Sequence, residues 1–511
     1  MGSILRIIVE NIRTKNTGTH FLVFVAVIAL GLTACREQPG GIQPQATADV
    51  RDSAYYKSLI FYLWSDNLPD YTAFNNRRGD ALIPNDETVF KPRSFANLND
   101  LMAGAEGIRK YSFESGSTQR LDRFSFATSQ KDWENQASGS NTGYGFQRGF
   151  VSDNDLRVAF VFPSSPMGKA GIRRGWKMLK VNNIEGNLTN NTSISTSLGS
   201  ANSSEFVFGL PDGTQKTVTV NKAAYTADFL LHKSIINAGG KKIGYLVLDS
   251  FLGSNDGKAT ADALTSTFDE FGAGGVQEMV VDLRYNGGGY VFIAEHFSNL
   301  LAPASAKGKT MYSYKRNKLF TDFIQKANTD SDPKNDIQNT IRFDNQPSRM
   351  NLSKVVFIVA GGTASASELL INNLKPYMDV KLVGQKTFGK PVGFPSLLIR
   401  MSKTDVSQNY YVFPVAFQTV NADGKGDYFN GIAVDKEQQD DVTRDFGDPQ
   451  EACLKDAIAY LTAGSLPART AARPARVSQA ASQANRQLLD EGGRVRDMVE
   501  PWNHPIPVPA Q

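Results

Sequence analysis

Three changes of texture along the chain predict a multidomain α/β protein. Helical spacing of apolar residues near the start gives way to short alternating apolar runs, and these give way to strands alternating with helical segments. With 511 residues, 41% hydrophobic and 21% charged, the chain has ordinary globular composition and length for about three domains. Its formal charge of +4 is small for that length, so nucleic acid is not an implied partner.

Arg6, Arg13 and Lys15 precede an apolar run at 21–32, about 12 residues where a bilayer span needs about 20. Residues 1–34 therefore read as a signal peptide. Leu32-Thr33-Ala34-Cys35 then places small residues before a cysteine. This resembles the lipobox at which bacterial lipoprotein signal peptides are cut and the cysteine is lipidated. The expectation is a lipid on Cys35, holding the protein to a membrane of the bacterial cell envelope on the periplasmic side. Loss of residues 1–34 removes three basic residues and one acidic residue, Glu10, which takes the formal charge from +4 to about +2. With Cys35 acylated, Cys453 stands alone and no intrachain disulfide is expected.

Residues 35–50 hold Gln, Pro, Gly and Ala and read as a flexible tether. A helical domain is expected over 51–138, from apolar periodicity at 55–63 and again at 95–108. A β-rich domain follows over 139–228, with alternating runs such as Arg157-Val158-Ala159-Phe160-Val161-Phe162. Within it, Gly143-Tyr144-Gly145-Phe146 and the segment from Ser165 to Asn182 resemble a PDZ domain. In such domains a glycine-flanked loop takes a peptide's C-terminal carboxylate, and the peptide adds as a strand. The resemblance implies that Gly143, Tyr144, Gly145 and Phe146 bind peptide, with Gly171 and Gly175 at tight turns.

From 229 to 464 strand and helix alternate as in an α/β layer structure, with strands at 243–248, 279–283 and 355–359 and helices at 259–271 and 291–301. Residues 315–350 are polar and turn-rich and read as an insertion able to cover a site. Residues 465–511 form a simple mixture of Ala, Arg, Gln and Pro, with a weak helix around 477–499, and are expected outside the core.

The strand at 355–359 runs through Ala360-Gly361-Gly362 into Thr363-Ala364-Ser365-Ala366-Ser367-Glu368. A serine at such a strand-to-helix turn meets a helix N-terminus, where free N–H groups favour developing negative charge. The Ala366 N–H would form half of an oxyanion hole beside it. Residues 365–368 also fit a capping box, in which Ser and Glu satisfy terminal N–H groups, and the local motif does not choose. A serine nucleophile needs a base. His20 lies in the signal peptide, His504 in the tail and His232 near a domain junction, which leaves His296. Lys390 is the other candidate, 25 residues after Ser365 in the apolar, glycine-bounded Thr387-Phe388-Gly389-Lys390-Pro391-Val392-Gly393-Phe394. Burial disfavours a lysine's ammonium and suits its amine to accept a proton. Histidines and cysteines are too few and scattered for a metal site, so no metal or cofactor is expected.

Together these segments resemble the C-terminal processing peptidases, or tail-specific proteases, serine endopeptidases with a Ser-Lys dyad. The resemblance spans roughly residues 50–464 and includes the order of helical segment, PDZ-like domain and peptidase core. It implies Ser365 as nucleophile and Lys390 as general base. Asp282-Leu283-Arg284-Tyr285-Asn286-Gly287-Gly288-Gly289 resembles the family's glycine loop, whose backbone completes the oxyanion hole, here at Gly288 or else Gly289. Gly431-Ile432 and Gly447-Asp448-Pro449 resemble its closing strand and final helix. Two positions depart: Phe394 stands where many members carry a glutamine that orients the lysine, and Gly287 where the family has proline. The expected activity is hydrolysis of peptide bonds in proteins with accessible C-termini. The alternative is a peptide-binding envelope scaffold whose core has lost activity.

Overall fold

Asp49 accepts a hydrogen bond from the Arg51 N–H at 2.8 Å and so caps α1 (Val50–Phe61). The computed structural model describes residues 49–69, 91–114, 116–330, 338–344, 350, 352–468, 478–491 and 498–501; the signal-peptide segment, Cys35 and most of the tether lie outside them. Asn97 caps α2 (Leu98–Ala103) through the Asp100 N–H. The helical reading of 95–108 shrinks to this element because Gly104 turns extended, in a geometry where a Cβ would lie 2.3 Å from the Asp100 carbonyl oxygen. β1 (Phe126–Ser129) then pairs antiparallel with a strand far along the chain, Phe126 opposite Phe413, before α3 (Gln130–Ser138). Asn317 adds a second stitch, donating to the Ile60 and Tyr62 carbonyls at 2.9 and 2.7 Å. The helical region is thus sewn into the core.

The β-rich unit holds β2 (Ser140–Gly143), β3 (Phe146–Ser152), β4 (Asp155–Val161), α4 (Pro166–Lys169), β5 (Lys177–Val181), β6 (Ile184–Glu185), α5 (Asn191–Ser200), β7 (Ser203–Gly209), β8 (Gln215–Asn221) and β9 (Ala223–Thr226). Its sheet runs β3-β4-β5-β7-β8 with β6 on β5, while β2 and β9 form a separate ribbon. Phe150, Leu156, Val158, Met178, Phe206 and Phe208 fill its core. β3 lies at the edge of the sheet, so one side of its backbone has no partner strand among the described residues.

The remaining elements are β10 (Leu230–Ala238), β11 (Lys241–Leu248), α6 (Lys258–Ala273), β12 (Glu278–Asp282), β13 (Gly289–Tyr290), α7 (Val291–Leu301), β14 (Thr310–Arg316), α8 (Lys318–Asp330), β15 (Thr340–Arg342), β16 (Lys354–Val359), α9 (Ala366–Leu374), β17 (Asp379–Gly384), β18 (Val392–Ile399), β19 (Tyr410–Phe413), β20 (Phe417–Asn421), β21 (Lys436–Glu437), α10 (Ala452–Ala463), α11 (Gln479–Glu491) and β22 (Met498–Pro501). One sheet runs β10-β11-β12-β16-β17-β21 and is parallel except at β10 and β11. Every residue of β12 is buried, as expected of a parallel strand covered on both faces. A second sheet runs β1-β19-β18-β20-β14-β15, with β22 joining β18 to β13. No helix among the described residues is long and apolar enough to cross a membrane.

Two expectations are corrected. The stretch read as a turn-rich insertion at 315–350 contains the end of β14, all of α8 and β15; α8 buries Phe320 and Ile324, one helical turn apart. The tail expected outside the core returns to it: α11 buries Ala481, Ala484 and Leu488 in the β-rich unit, and β22 buries Met498 and Val499. Its simple composition hid an apolar stripe at spacings of three and four, enough for one helix face.

Candidate active site

Ser365 ends the turn from β16 into α9 with φ 63° and ψ −115°, a conformation that L-residues seldom adopt. The residue is fully buried, and its hydroxyl has no hydrogen-bond partner among the described residues. Such an orphan is uncommon in native interiors and calls for an explanation. Neighbouring side chains hold the turn. Thr363 Oγ1 donates to the Leu283 carbonyl at 2.7 Å, and Ser367 Oγ donates to Asn286 Oδ1 at 3.0 Å. The Ala364 N–H donates to the Asn286 carbonyl at 3.2 Å.

Of the capping box, the glutamate half carries the structure. Glu368 is fully buried, and its Oε2 accepts from the Ser365 N–H at 2.9 Å and from the Lys390 N–H at 2.8 Å. One oxygen therefore ties the backbones of both dyad candidates. Its Oε1 accepts from the Gly389 N–H at 2.8 Å and from Thr387 Oγ1. Burial pushes the Glu368 carboxyl up, opposed by the donors converging on it. The loop to Lys390 turns at Gly389, φ 91°, where a Cβ would lie 2.4 Å from the Gly431 nitrogen. From the N-terminal region, Arg123 donates to the carbonyls of Phe388, Gly389 and Phe429 at 3.2, 3.1 and 3.0 Å.

Lys390 is 1% exposed. Its Nζ lies 4.0 Å from the ring centroid of Phe394 and 5.2 Å from that of Phe124. The residue at the glutamine position thus meets the lysine with an aromatic face. In the glycine loop, Asn286 is buried and donates through Nδ2 to the Leu248 carbonyl at 3.0 Å, while its Oδ1 accepts from the Gly288 N–H at 2.8 Å. The oxyanion donor expected at Gly288 is committed to Asn286 in this state. Gly289, φ 141°, admits no side chain, because a Cβ would lie 2.4 Å from the Phe251 carbonyl carbon.

Beneath the loop lies a buried ionic cluster. Arg284 donates to Asp282, Asp440 and Glu451 at 2.9, 2.6 and 2.8 Å, and Arg174 of the β-rich unit reaches Asp440 at 2.6 Å and the Tyr285 hydroxyl at 2.7 Å. Burial raises the Asp440 carboxyl, but the two guanidinium groups outweigh it and hold the group well below the usual carboxylate range. His296 lies apart, half-buried, with Nε2 2.7 Å from Thr265 Oγ1 on α6. Burial pushes its imidazole pKa down.

Of the expected peptide-binding residues, Gly143 ends β2, Tyr144 is buried and Phe146 begins β3. Gly145, φ 77°, packs where a Cβ would lie 2.0 Å from Ser165 Cβ, and its carbonyl accepts from Ser165 Oγ at 3.0 Å. The four form a tight turn feeding edge strand β3. Sequence reasoning did not single out Glu368 or Asn286 as the residues that position the turn, although both stand inside quoted motifs. Arg123 and Phe124 lie outside every motif, and nothing in their neighbourhood announces them.

Residues 242–412 match the model of Peptidase family S41. A protein named "Probable CtpA-like serine protease" from Staphylococcus aureus (strain N315) is 26% identical over 270 residues, 51% of this chain and 47% of the relative. A protein of the same name from Staphylococcus saprophyticus is 23% identical over 268 residues, with the same coverage of 51% and 47%. The chain thus spans about half the length of the curated relatives it matches. Among solved structures, one named as an S41 protease from Bacteroides fragilis NCTC 9343 aligns with a TM-score of 0.56 at 23% identity, covering 80% of this chain and 97% of its own. That likeness is one of fold. Residues 242–412, which carry the glycine loop, Ser365 and Lys390, are thus the part of the chain that is similar to peptidase family S41.

Proposed function

We propose that this chain is a serine endopeptidase that hydrolyses peptide bonds in proteins with accessible C-termini. The carrying observation is the convergence of Ser365 and Lys390 on Glu368, with a strained, buried serine whose hydroxyl lacks a partner among the described residues. Ser365 Oγ attacks the substrate carbonyl while the Lys390 amine, in its neutral form, takes the hydroxyl proton and returns it to the leaving amine. The N–H groups of Ala366 and Gly288 stabilise the oxyanion, which requires Gly288 to leave Asn286. Purified protein incubated with an unstructured protein is expected to cleave it, with Ser365→Ala and Lys390→Ala each slower by on the order of 10³-fold or more. Equal cleavage by all three, or by none, overturns the dyad. The second reading, an inactive peptide-binding scaffold, draws on Phe394 at the glutamine position and on the committed Gly288 donor. Absence of cleavage by every form, with peptide binding retained, would select it.

The β-rich unit is read as a PDZ domain that presents substrate C-termini. The turn Gly143-Tyr144-Gly145-Phe146 entering an edge strand supports this reading. A lipid on Cys35 holds the protein to the envelope membrane, on the periplasmic side. Cys35→Ala is expected to move the protein from the membrane fraction to the soluble fraction, and an unchanged distribution overturns the anchor.

A further inference from the structure

Two edges suited to an incoming peptide are filled by the chain's own C-terminal region. On the β-rich unit, the Phe150 N–H donates to Asn485 Oδ1 at 2.7 Å, and Asn485 Nδ2 donates to the Phe150 carbonyl at 2.9 Å. The side-chain amide thus replaces the pair of backbone bonds that an added strand would make on β3. Gln147 Nε2 donates to the Leu488 carbonyl. Ala481, Ala484 and Leu488 join the same apolar cluster as Ile194 and Leu198 of α5.

In the core, β22 runs parallel to both arms of the candidate site. Gly289 pairs with Met498 and Tyr290 with Val499 on one side; Phe394 pairs with Val499, Pro395 with Glu500 and Ser396 with Pro501 on the other. The first arm starts beside Gly288, and the second starts four residues after Lys390. Met498 and Val499 are fully buried. Gly393 allows the approach, since a Cβ there would lie 2.6 Å from the Met498 carbonyl oxygen.

We propose that α11 and β22 are a built-in peptide ligand: α11 covers the peptide-accepting edge of the β-rich unit, and β22 takes the strand position of a substrate beside Ser365. The chain stays shut until an incoming peptide displaces them. What the tail blocks rests on the peptidase reading; its docking does not. Because it is attached, the tail competes at an effective concentration on the order of millimolar, so a substrate sees only the fraction of molecules whose tail is out. The buried sites of Met498 and Val499 further imply that the displacing strand carries apolar side chains at those two positions.

The test uses the full chain, unsubstituted and as the double variant Leu488→Asp/Val499→Asp, which puts carboxylates at two buried tail positions. Binding of a fluorescent synthetic peptide matching residues 478–501 is measured by anisotropy on Ser365→Ala forms of both, and cleavage of an unstructured protein on the forms that keep Ser365. The double variant is expected to bind the peptide at least about tenfold more tightly and to cleave faster by a similar factor, as a competent fraction rising from about a tenth to nearly all requires. Unlabelled peptide is expected to restore the slow rate. Equal peptide affinity in both forms, or an unchanged cleavage rate despite tighter binding, overturns the proposal. If no form cleaves, the peptidase reading falls and peptide binding alone decides the docking. If the double variant does not fold, hydrogen exchange on the unsubstituted chain decides: faster exchange at 498–501 on adding the peptide supports displacement, and unchanged exchange overturns it.

Discussion

Glu368 ties the backbone N–H groups of Ser365 and Lys390 to one carboxylate oxygen, fixing where the two residues stand relative to each other. Glu368→Gln keeps the side chain's shape but turns one acceptor into a donor facing N–H groups, at about 1–3 kcal/mol for each buried group left unsatisfied. The expected outcome is a lower melting temperature together with a fall in kcat of at least about tenfold; unchanged kinetics would remove Glu368 from the positioning role. Ser365 offers a separate check. Glycine adopts φ 63° without strain, so Ser365→Gly is expected to be inactive yet more stable than Ser365→Ala by about 1 kcal/mol in denaturant unfolding. Glu295 on α7 makes a pH prediction. Burial, with the charges of Glu500 and Asp344 adding to it and the Tyr312 hydroxyl bond opposing it, pushes its carboxyl from 4.5 up to about 7. A raised carboxyl pKa means the folded state resists ionisation, so stability drains as pH rises between those two values. Glu295→Gln is accordingly expected to melt close to the unsubstituted protein at pH 4 and above it at pH 8, by thermal scans at both.

At the scale of elements, strands and helices whose apolar pattern is continuous were legible, and interrupted ones were not. The helix read at 291–301 matches α7, and the strand read at 355–359 differs from β16 by one residue, because a buried parallel strand and a helix with one apolar face both write their period into the chain. α8 and α11 were missed or undervalued because their few apolar residues are diluted by Asn, Gln, Lys and Asp. Their stripes become visible only once something is packed against them. The Lys390 loop depends on a different local feature. Gly389→Ala would force a Cβ against the Gly431 backbone in a left-handed conformation. The expected result is a loss of more than about 2 kcal/mol, read by urea denaturation, along with lost activity.

At the scale of the molecule, Arg174 joins the β-rich unit to the core through Asp440 and Tyr285, with the guanidinium 1% exposed. Arg174→Ala is expected to destabilise by about 3–5 kcal/mol in chemical denaturation, since it strands part of a buried charge cluster. Arg174→Lys is expected to recover little, because one ammonium cannot reach Asp440, Tyr285 and the Ala159 carbonyl together. By itself the sequence determined the α/β class and drew attention to Ser365, Lys390 and the glycine loop as candidates, because periodicity and contiguous motifs are written along the chain. Only the tertiary structure decided that Glu368 ties the backbones of Ser365 and Lys390, that Phe394 meets the amine, that the Gly288 donor is turned to Asn286 and that β22 of the tail pairs with β13 and β18. Those facts depend on backbone groups brought together from segments up to several hundred residues apart, and side-chain spacing along a chain carries no record of such meetings.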